Sequence, residues 1–277
     1  MDLTRNIEHF NLVILDLETT GLDVVTGDSI CEIGAFKVKG RKIIDKFHSL
    51  INPNRNMPEQ AYNVHKISEQ ELKDAPYFED VADKFVSFLD QSVICAYNIR
   101  FDMGFINNHL KKTNRLPLEL PAVDILSMAR DALRLPRYNL EAVAKSFNID
   151  CSQGLHRALS DTSVAYQILI KLLDIFKEKR IGGLGEFISL YGLNNEIFKS
   201  KEEKKTFLLN AAIEKGAVLG IKYFSPNNTL EEDEVLPLRI LQEDRYSYLL
   251  CQSRGKGKGS SSIKLTRILR VEEPKGN

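Results

Sequence analysis

Leu12-Val13-Ile14-Leu15 is an unbroken apolar run of four, and Asp16-Leu17-Glu18 follows it without a spacer. A run this short and this uniformly apolar fits a strand buried on both faces better than a helix. Strand side chains repeat every two residues, so Asp16 and Glu18 point to one face at its end. Two carboxylates crowded beside a buried strand repel each other and are poorly solvated. Ionising both is costly unless a cation compensates, and a divalent metal would relieve the pair. Taken alone, Asp-x-Glu at a strand end is common and more often serves as an ordinary cap or salt-bridge partner, so both readings stand at this point.

The rest of the chain supplies a sheet for that strand. Ile30 to Val38 and Lys42 to Ile51 are rich in β-branched and apolar residues, with Lys39-Gly40-Arg41 as a hairpin turn, so three sequential antiparallel strands open the chain. A Pro-bearing loop runs from Asn52-Pro53 to Pro58. Phe78, Val81, Ala82, Phe85, Val86 and Leu89 then recur at helical spacing, and Ser92 to Ala96 reads as another buried strand. A crossover helix returning to a parallel strand is implied. Further helical patterns fall at about 103–112, 124–134, 139–147 and 158–178, and strands followed by strand–helix alternation predict an α/β fold with a mixed sheet.

Gly182-Gly183, Gly185 and the charged run Lys201-Glu202-Glu203-Lys204-Lys205 separate this region from a different composition. The expected division is a domain over 1–180, a linker over 181–205 and a small mainly-β module over 206–277. In that module a short helix (Phe207 to Glu214) precedes strands at Val218 to Phe224, Val235 to Leu241, Tyr246 to Gln252 and Ser262 to Ile268. The glycine-dense segment from Ser253 to Ser260 is expected to be a flexible basic loop.

With 277 residues, 43% of them hydrophobic and 27% charged, the chain is neither disordered nor fibrous. Its apolar stretches fall far short of the roughly eighteen residues that span a bilayer, and Met1 to Asn6 carry no apolar signal region. The expectation is a cytoplasmic protein with no membrane partner. Cys31, Cys95, Cys151 and Cys251 are scattered and form no Cys-x-x-Cys, which suggests neither a disulfide framework nor a zinc knuckle and reads as small buried or semi-buried thiols. Basic and acidic residues balance at 38 each, so no global basic field announces a nucleic-acid binder. Residues 1–200 hold 24 basic against 27 acidic residues and residues 201–277 hold 14 against 11, as expected if carboxylates gather in the larger part to hold cations.

Two more segments can carry chemistry. Ala96-Tyr97-Asn98-Ile99-Arg100-Phe101-Asp102 follows the second buried strand and places Asp102 at a helix start, where an N-cap is the plain alternative. His156 and Asp161 stand five apart at the start of the last long helix of the domain. In this order the segments resemble the DEDDh 3'-5' exonucleases, in particular the epsilon proofreading subunit of bacterial DNA polymerase III and its relatives. The resemblance covers about residues 10–178. It runs through Leu15-Asp16-Leu17-Glu18-Thr19-Thr20-Gly21-Leu22, Cys31-Glu32-Ile33-Gly34-Ala35, Val64-His65-Lys66-Ile67, Asn98 to Asp102, Asp124 to Arg130, and His156 to Asp161.

The resemblance implies a ribonuclease H-like mixed sheet flanked by helices, with Asp16, Glu18, Asp102 and Asp161 holding two Mg2+ or Mn2+ ions. Hard oxygen donors suit such hard cations, which can clamp the attacking and leaving oxygens of an in-line displacement. It implies His156 as the general base, a role suited to a group that titrates near physiological pH. By matching position, Thr19, Thr20, Leu22, His65, Asn98 and Phe101 correspond to residues that grip or wedge the terminal nucleotide, although Phe101 as core and His65 as a helix cap are also open. Where the family commonly has His-Asn, this chain has Tyr97-Asn98, and an altered substrate contact is expected. His9, His48 and His109 read as structural or solvated.

The tail resembles a WYL domain through Ala211 to Tyr223, Val235-Leu236-Pro237-Leu238, Tyr248-Leu249 and Leu265 to Ile268. Ser247 stands where the usual Trp would be. Tyr223, Lys264, Arg267 and the basic loop are its ligand candidates. The function implied is a 3'-5' exonuclease releasing nucleoside 5'-monophosphates from single-stranded or frayed DNA 3' ends, with a polymerase or repair partner. An RNA-trimming or short-oligonucleotide nuclease, and a ligand-sensing nucleic-acid-binding protein on a nuclease scaffold, are the alternatives.

Overall fold

The computed structural model describes residues 1–151, 154–193, 196–225, 229–243, 246–254 and 259–272. After a 3-10 turn (Ile7–His9) come β1 (Asn11–Thr19), β2 (Ile30–Lys39) and β3 (Lys42–Leu50). Helices α1 (Glu59–His65), α2 (Glu69–Lys73) and α3 (Phe78–Leu89) lead to β4 (Ser92–Ala96) and α4 (Ile99–Lys112). Then follow β5 (Ala122–Asp124), α5 (Ile125–Ala132), α6 (Leu140–Ser146) and α7 (Ala158–Glu178). Helices α8 (Leu184–Tyr191) and α9 (Glu196–Lys215) precede a second set of strands, β6 (Leu219–Phe224), β7 (Leu230–Glu243), β8 (Tyr246–Ser253), β9 (Ser260–Lys264) and β10 (Ile268–Glu272). No helix among the described residues is long and apolar enough to cross a membrane.

Two compact units result, one of Asn6–Ile175 with Tyr191–Leu193, the other of Met1–Arg5, Phe176–Leu190 and Asn194–Asn277. The first is built on a mixed sheet of order β3-β2-β1-β4-β5, antiparallel from β3 to β1 and parallel from β1 to β5. The β2–β3 hairpin closes on Gly40 and Arg41, both at positive φ, the turn whose twist suits adjoining strands. Odd-numbered β1 residues Val13, Leu15 and Leu17 join Ile33, Ala35 and Phe47 in a core. That core is covered by Phe78, Ala82, Phe85 and Leu89 of α3 and by Ile99, Met103, Ile106 and Leu110 of α4. The helical spacing of those residues gives each helix one apolar side to bury.

The opposite face of the sheet carries Asp16 and Glu18, and across the ladder Gly34 pairs with Asp16 and Glu32 with Glu18. The first turn of α7 lies against it. A Cβ at position 34 would come 2.4 Å from the Ala158 carbonyl carbon and 2.6 Å from the Leu159 nitrogen, and Thr162 Oγ1 donates to the Gly34 carbonyl at 3.0 Å. Both obstacles are backbone, so no side chain can rotate away. Gly34→Ala is expected to cost about 3 kcal/mol or more and to lower the melting temperature of this unit by roughly 6–12 °C in a thermal scan.

The second unit holds the antiparallel sheet β10-β6-β7-β8-β9. Leu209 and Ala212 of α9 pack on Leu219, Ile221, Val235, Leu249, Ile263 and Ile268. The expected short helix at 207–214 is instead the C-terminal half of the twenty-residue α9, and the stretch 181–205 contains α8 and the start of α9. The single strand expected over Ser262 to Ile268 is broken by a 3-10 turn (Leu265–Arg267) into β9 and β10. Lys205 explains part of that break, because its Nζ donates to the Leu265 and Ile268 carbonyls at 2.9 Å, satisfying groups that a strand would have paired.

Candidate active site

Ligand oxygens of Asp16, Glu18 and Asp161 all lie within 4.8 Å of one another. β1 supplies the first two from one face, and α7 supplies Asp161 from its first turn, brought there by the close passage over Gly34. Asp102, 2% exposed on the first turn of α4, lies outside that tight group yet is the charge that acts most strongly on Asp16. Asp16 keeps some solvent exposure, but the protein around its carboxylate, then Asp102, Glu18 and Asp161, push it well above the usual carboxylate range. Burial, then Asp161 and Glu32, push Glu18 up to about 8. Burial pushes Asp102 up to about 8, opposed by its own backbone N–H and that of Leu17. Burial also raises Asp161, opposed by the His156 N–H.

Three carboxylates crowded within 4.8 Å, with Asp102 acting on Asp16 from outside the group, are a poor structural device and a candidate cation site. Oxygen donors of this kind suit hard cations, and the donor set fits a divalent metal.

His156 is exposed, sits at φ 70° and donates its backbone N–H to both Asp161 oxygens at 3.1 and 3.3 Å. Its neighbour Arg157 is turned inward onto Glu32. Asn98, also left-handed at φ 77°, precedes α4. Asp124 Oδ1 accepts from the Asn98 and Ile99 N–H groups at 3.1 Å while its other oxygen accepts from Ser127 N–H at the start of α5. Asp124 thus fixes the turn that presents Asp102, a role the spacing of the motif did not reveal.

The residues expected to grip a nucleotide fall into two sets. Leu22 is 85% exposed, Asn98 is exposed, and Phe101 is half-buried against Phe105 with ring centroids 4.9 Å apart. Thr19, Thr20 and His65 are buried and have partners of their own. Thr19 Oγ1 donates to the Gly21 carbonyl, and Thr20 Oγ1 accepts from Ser29 N–H at 3.0 Å, so both shape the loop after β1. His65 Nδ1 accepts from Ile67 N–H at 3.0 Å, Nε2 lies 3.8 Å from Cys31 Sγ, and burial holds the ring below its ordinary range.

Tyr97 is likewise turned away from an open contact. Its hydroxyl donates to the Tyr138 carbonyl at 2.7 Å and braces the loop after α5. Among the remaining histidines, His48 Nε2 donates to Glu32 at 2.8 Å, and buried His109 bonds Ser29 Oγ and the Phe105 carbonyl. In the second unit, the Tyr223 hydroxyl donates to Glu231 at 2.8 Å, Arg267 donates to the Ser225 carbonyl, and Lys264 ends β9. Residues 255–258 of the expected basic loop lie outside the described residues.

Comparison with known proteins identifies the family. Residues 13–169, more than half of the chain, match the exonuclease family. The epsilon subunit of DNA polymerase III from Rickettsia conorii is 41% identical over 167 residues, covering 58% of this chain and 73% of the relative. A PolC-type DNA polymerase III from Thermotoga maritima is 35% identical over 178 residues, covering 64% of this chain but 13% of that much longer protein. Among solved structures, E. coli exonuclease I in complex with a dA16 oligonucleotide aligns with a TM-score of 0.57 at 15% identity, over 96% of this chain and 65% of that one. The nuclease domain of 3'hExo, a DEDDh family member bound to rAMP, gives 0.55 at 15% identity, over 61% of this chain and 94% of that one. These two likenesses establish the ribonuclease H-like fold. On its own sequence match, this chain belongs to the exonuclease family, as a 3'-5' exonuclease of the DEDDh type.

Proposed function

We propose that the protein removes nucleoside 5'-monophosphates from DNA 3' ends, single-stranded or frayed, using two divalent ions, Mg2+ or Mn2+. The carrying observation is the convergence of Asp16, Glu18 and Asp161 within 4.8 Å, with Asp102 beside Asp16 and the exposed His156 tied to Asp161. Asp16, Glu18, Asp102 and Asp161 would hold the cations. When bound, such ions lower the pKa of a ligated water and neutralise charge on the leaving oxygen. His156 accepts the proton of the attacking water at its imidazole, and its exposure leaves room for that water. Leu22, Asn98 and the open side of Phe101 hold the terminal nucleotide by apolar contact and by shape, which tolerates any base.

A polymerase or repair partner is part of this proposal, supported by the polymerase III names of the relatives. So is the division into a nuclease domain over 1–180 and a WYL-like module over 206–277 joined through 181–205, with Tyr223, Lys264 and Arg267 as ligand contacts of the module.

The test is digestion of a 5'-labelled single-stranded DNA oligonucleotide with Mn2+ or with chelator, beside RNA of the same sequence. A metal-dependent ladder shortening from the 3' end supports the reading, and the DNA-to-RNA rate ratio fixes the substrate. His156→Ala is expected to retain Mn2+ binding by calorimetry yet lose turnover by about 10^2 to 10^4. Loss of the metals from that variant would overturn the general-base assignment.

A further inference from the structure

Glu32 is a charged group 1% exposed, on β2, directly across the ladder from Glu18. Like charges in that relation repel, so an acid there needs a separate reason. Its two oxygens accept four hydrogen bonds. Arg157 donates from Nε to Oε2 at 3.1 Å and from Nη2 to Oε1 at 2.9 Å. The Ala158 N–H donates to Oε2 at 2.9 Å, and His48 Nε2 to Oε1 at 2.8 Å. Burial works to raise this carboxyl, but the bonds from Arg157, His48 and Ala158 outweigh it and hold Glu32 below the usual range. Glu32 is therefore a fixed anion on the same face as the cation-holding carboxylates, with all its charge turned to another purpose.

Two of its partners, Arg157 and Ala158, are the residues immediately after His156. A non-glycine residue in the left-handed region costs on the order of 1–3 kcal/mol and persists only where its surroundings impose it. At His156 they do so from both sides. The preceding contact is its own N–H on the Asp161 carboxylate, and the following one is the Glu32 clamp. Close approach of backbone to backbone over Gly34 removes the remaining freedom. The imidazole therefore leaves the chain from a point set by a residue 124 positions earlier.

We propose that Glu32 is a positioning residue for the His156 base, acting through Arg157 and the Ala158 N–H to hold the left-handed turn that carries the imidazole. This rests on the nuclease reading above. The bidentate Arg157 contact is what a glutamine could not reproduce, since it depends on two charged acceptor oxygens in one plane.

The test uses the full chain and single-turnover digestion in saturating Mn2+, with Glu32→Gln and Arg157→Gln made alone and in a His156→Ala background. Each single variant is expected to lower kcat about 10- to 100-fold, with KM and the Mn2+ Kd within about threefold of wild type. In the His156→Ala background neither should cost anything further, because the group they position is gone. Amide exchange at Ala158, followed in chelator, should quicken in both variants. Folded variants with wild-type kcat, or losses that multiply with His156→Ala, would overturn the proposal. Should Glu32→Gln fail to fold, Arg157→Gln carries the test, since that guanidinium side chain is 43% exposed. A wild type inert on every oligonucleotide would overturn the nuclease reading itself, and an active wild type with unaffected variants would overturn only the clamp.

Discussion

Asp16→Ala is expected to abolish 3'-end cleavage while raising the melting temperature of the metal-free protein. The loss follows from its place at the centre of the carboxylate group, in reach of Glu18 and Asp161 and beside Asp102. Removing one ligand from a divalent site forfeits several kcal/mol of charge stabilisation, and each 1.36 kcal/mol is tenfold, so a rate at least about 10^3 below wild type is expected. The gain in stability has the same origin. Without metal, Asp16 is surrounded by like charges and by little water, and alanine relieves both. A gain of about 1 kcal/mol would raise the melting temperature by roughly 2–4 °C in chelator. A melting temperature well below wild type, or cleavage within tenfold of it, would contradict the assignment.

The second large effect is on pH. Glu18 and Asp102 are both pushed up to about 8, from ordinary values near 4. A carboxylate whose pKa is higher in the fold than in the unfolded chain binds its proton more tightly when folded. Its stabilising contribution is complete below about pH 4 and is lost as pH rises through the folded value near 8. The chelated protein should therefore become steadily less stable from pH 5 to pH 9, on the order of a few kcal/mol in all. If these carboxylates hold metal as proposed, Mn2+ would replace the lost protons, so its stabilising effect should be greatest at the alkaline end, where the carboxylates are ionised. Thermal scans at pH 6 and pH 8.5, each with chelator and with Mn2+, measure this directly. A chelated protein more stable at pH 8.5 than at pH 6 would mean that the carboxylates are not crowded as described.

How much of this was legible beforehand differs from residue to residue. Period two placed Asp16 and Glu18 on one face, and the structure keeps them there at the end of β1. Helical spacing found α3 and α7 because an apolar stripe is a local pattern that burial preserves. Short elements were missed. Helices α1 and α2 have seven and five residues and β5 has three, too few turns or alternations for any period to show. Matching positions marked Thr19, Thr20 and His65 as contacts for a nucleotide, and what the sequence did not show is that the fold buries their side chains and gives them backbone partners. A hydroxyl or imidazole looks the same in a sequence whether it faces solvent or a carbonyl.

By itself the sequence determined the strands that flank the site, the helices that cover one side of the sheet, and the shared face of Asp16 and Glu18, because each of these is written in local periodicity, whereas Asp102, Asp161 and His156 were marked only through resemblance to a family. Only the tertiary structure decided what holds them in place. Glu32 meets Arg157, Gly34 admits Ala158, and Asp124 caps the turn before Asp102, in each case across a stretch of chain far longer than any periodic pattern spans. Such pairings depend on which segments the packed sheet brings together, and that is fixed by the burial of the whole core rather than by the residues on either side of each partner.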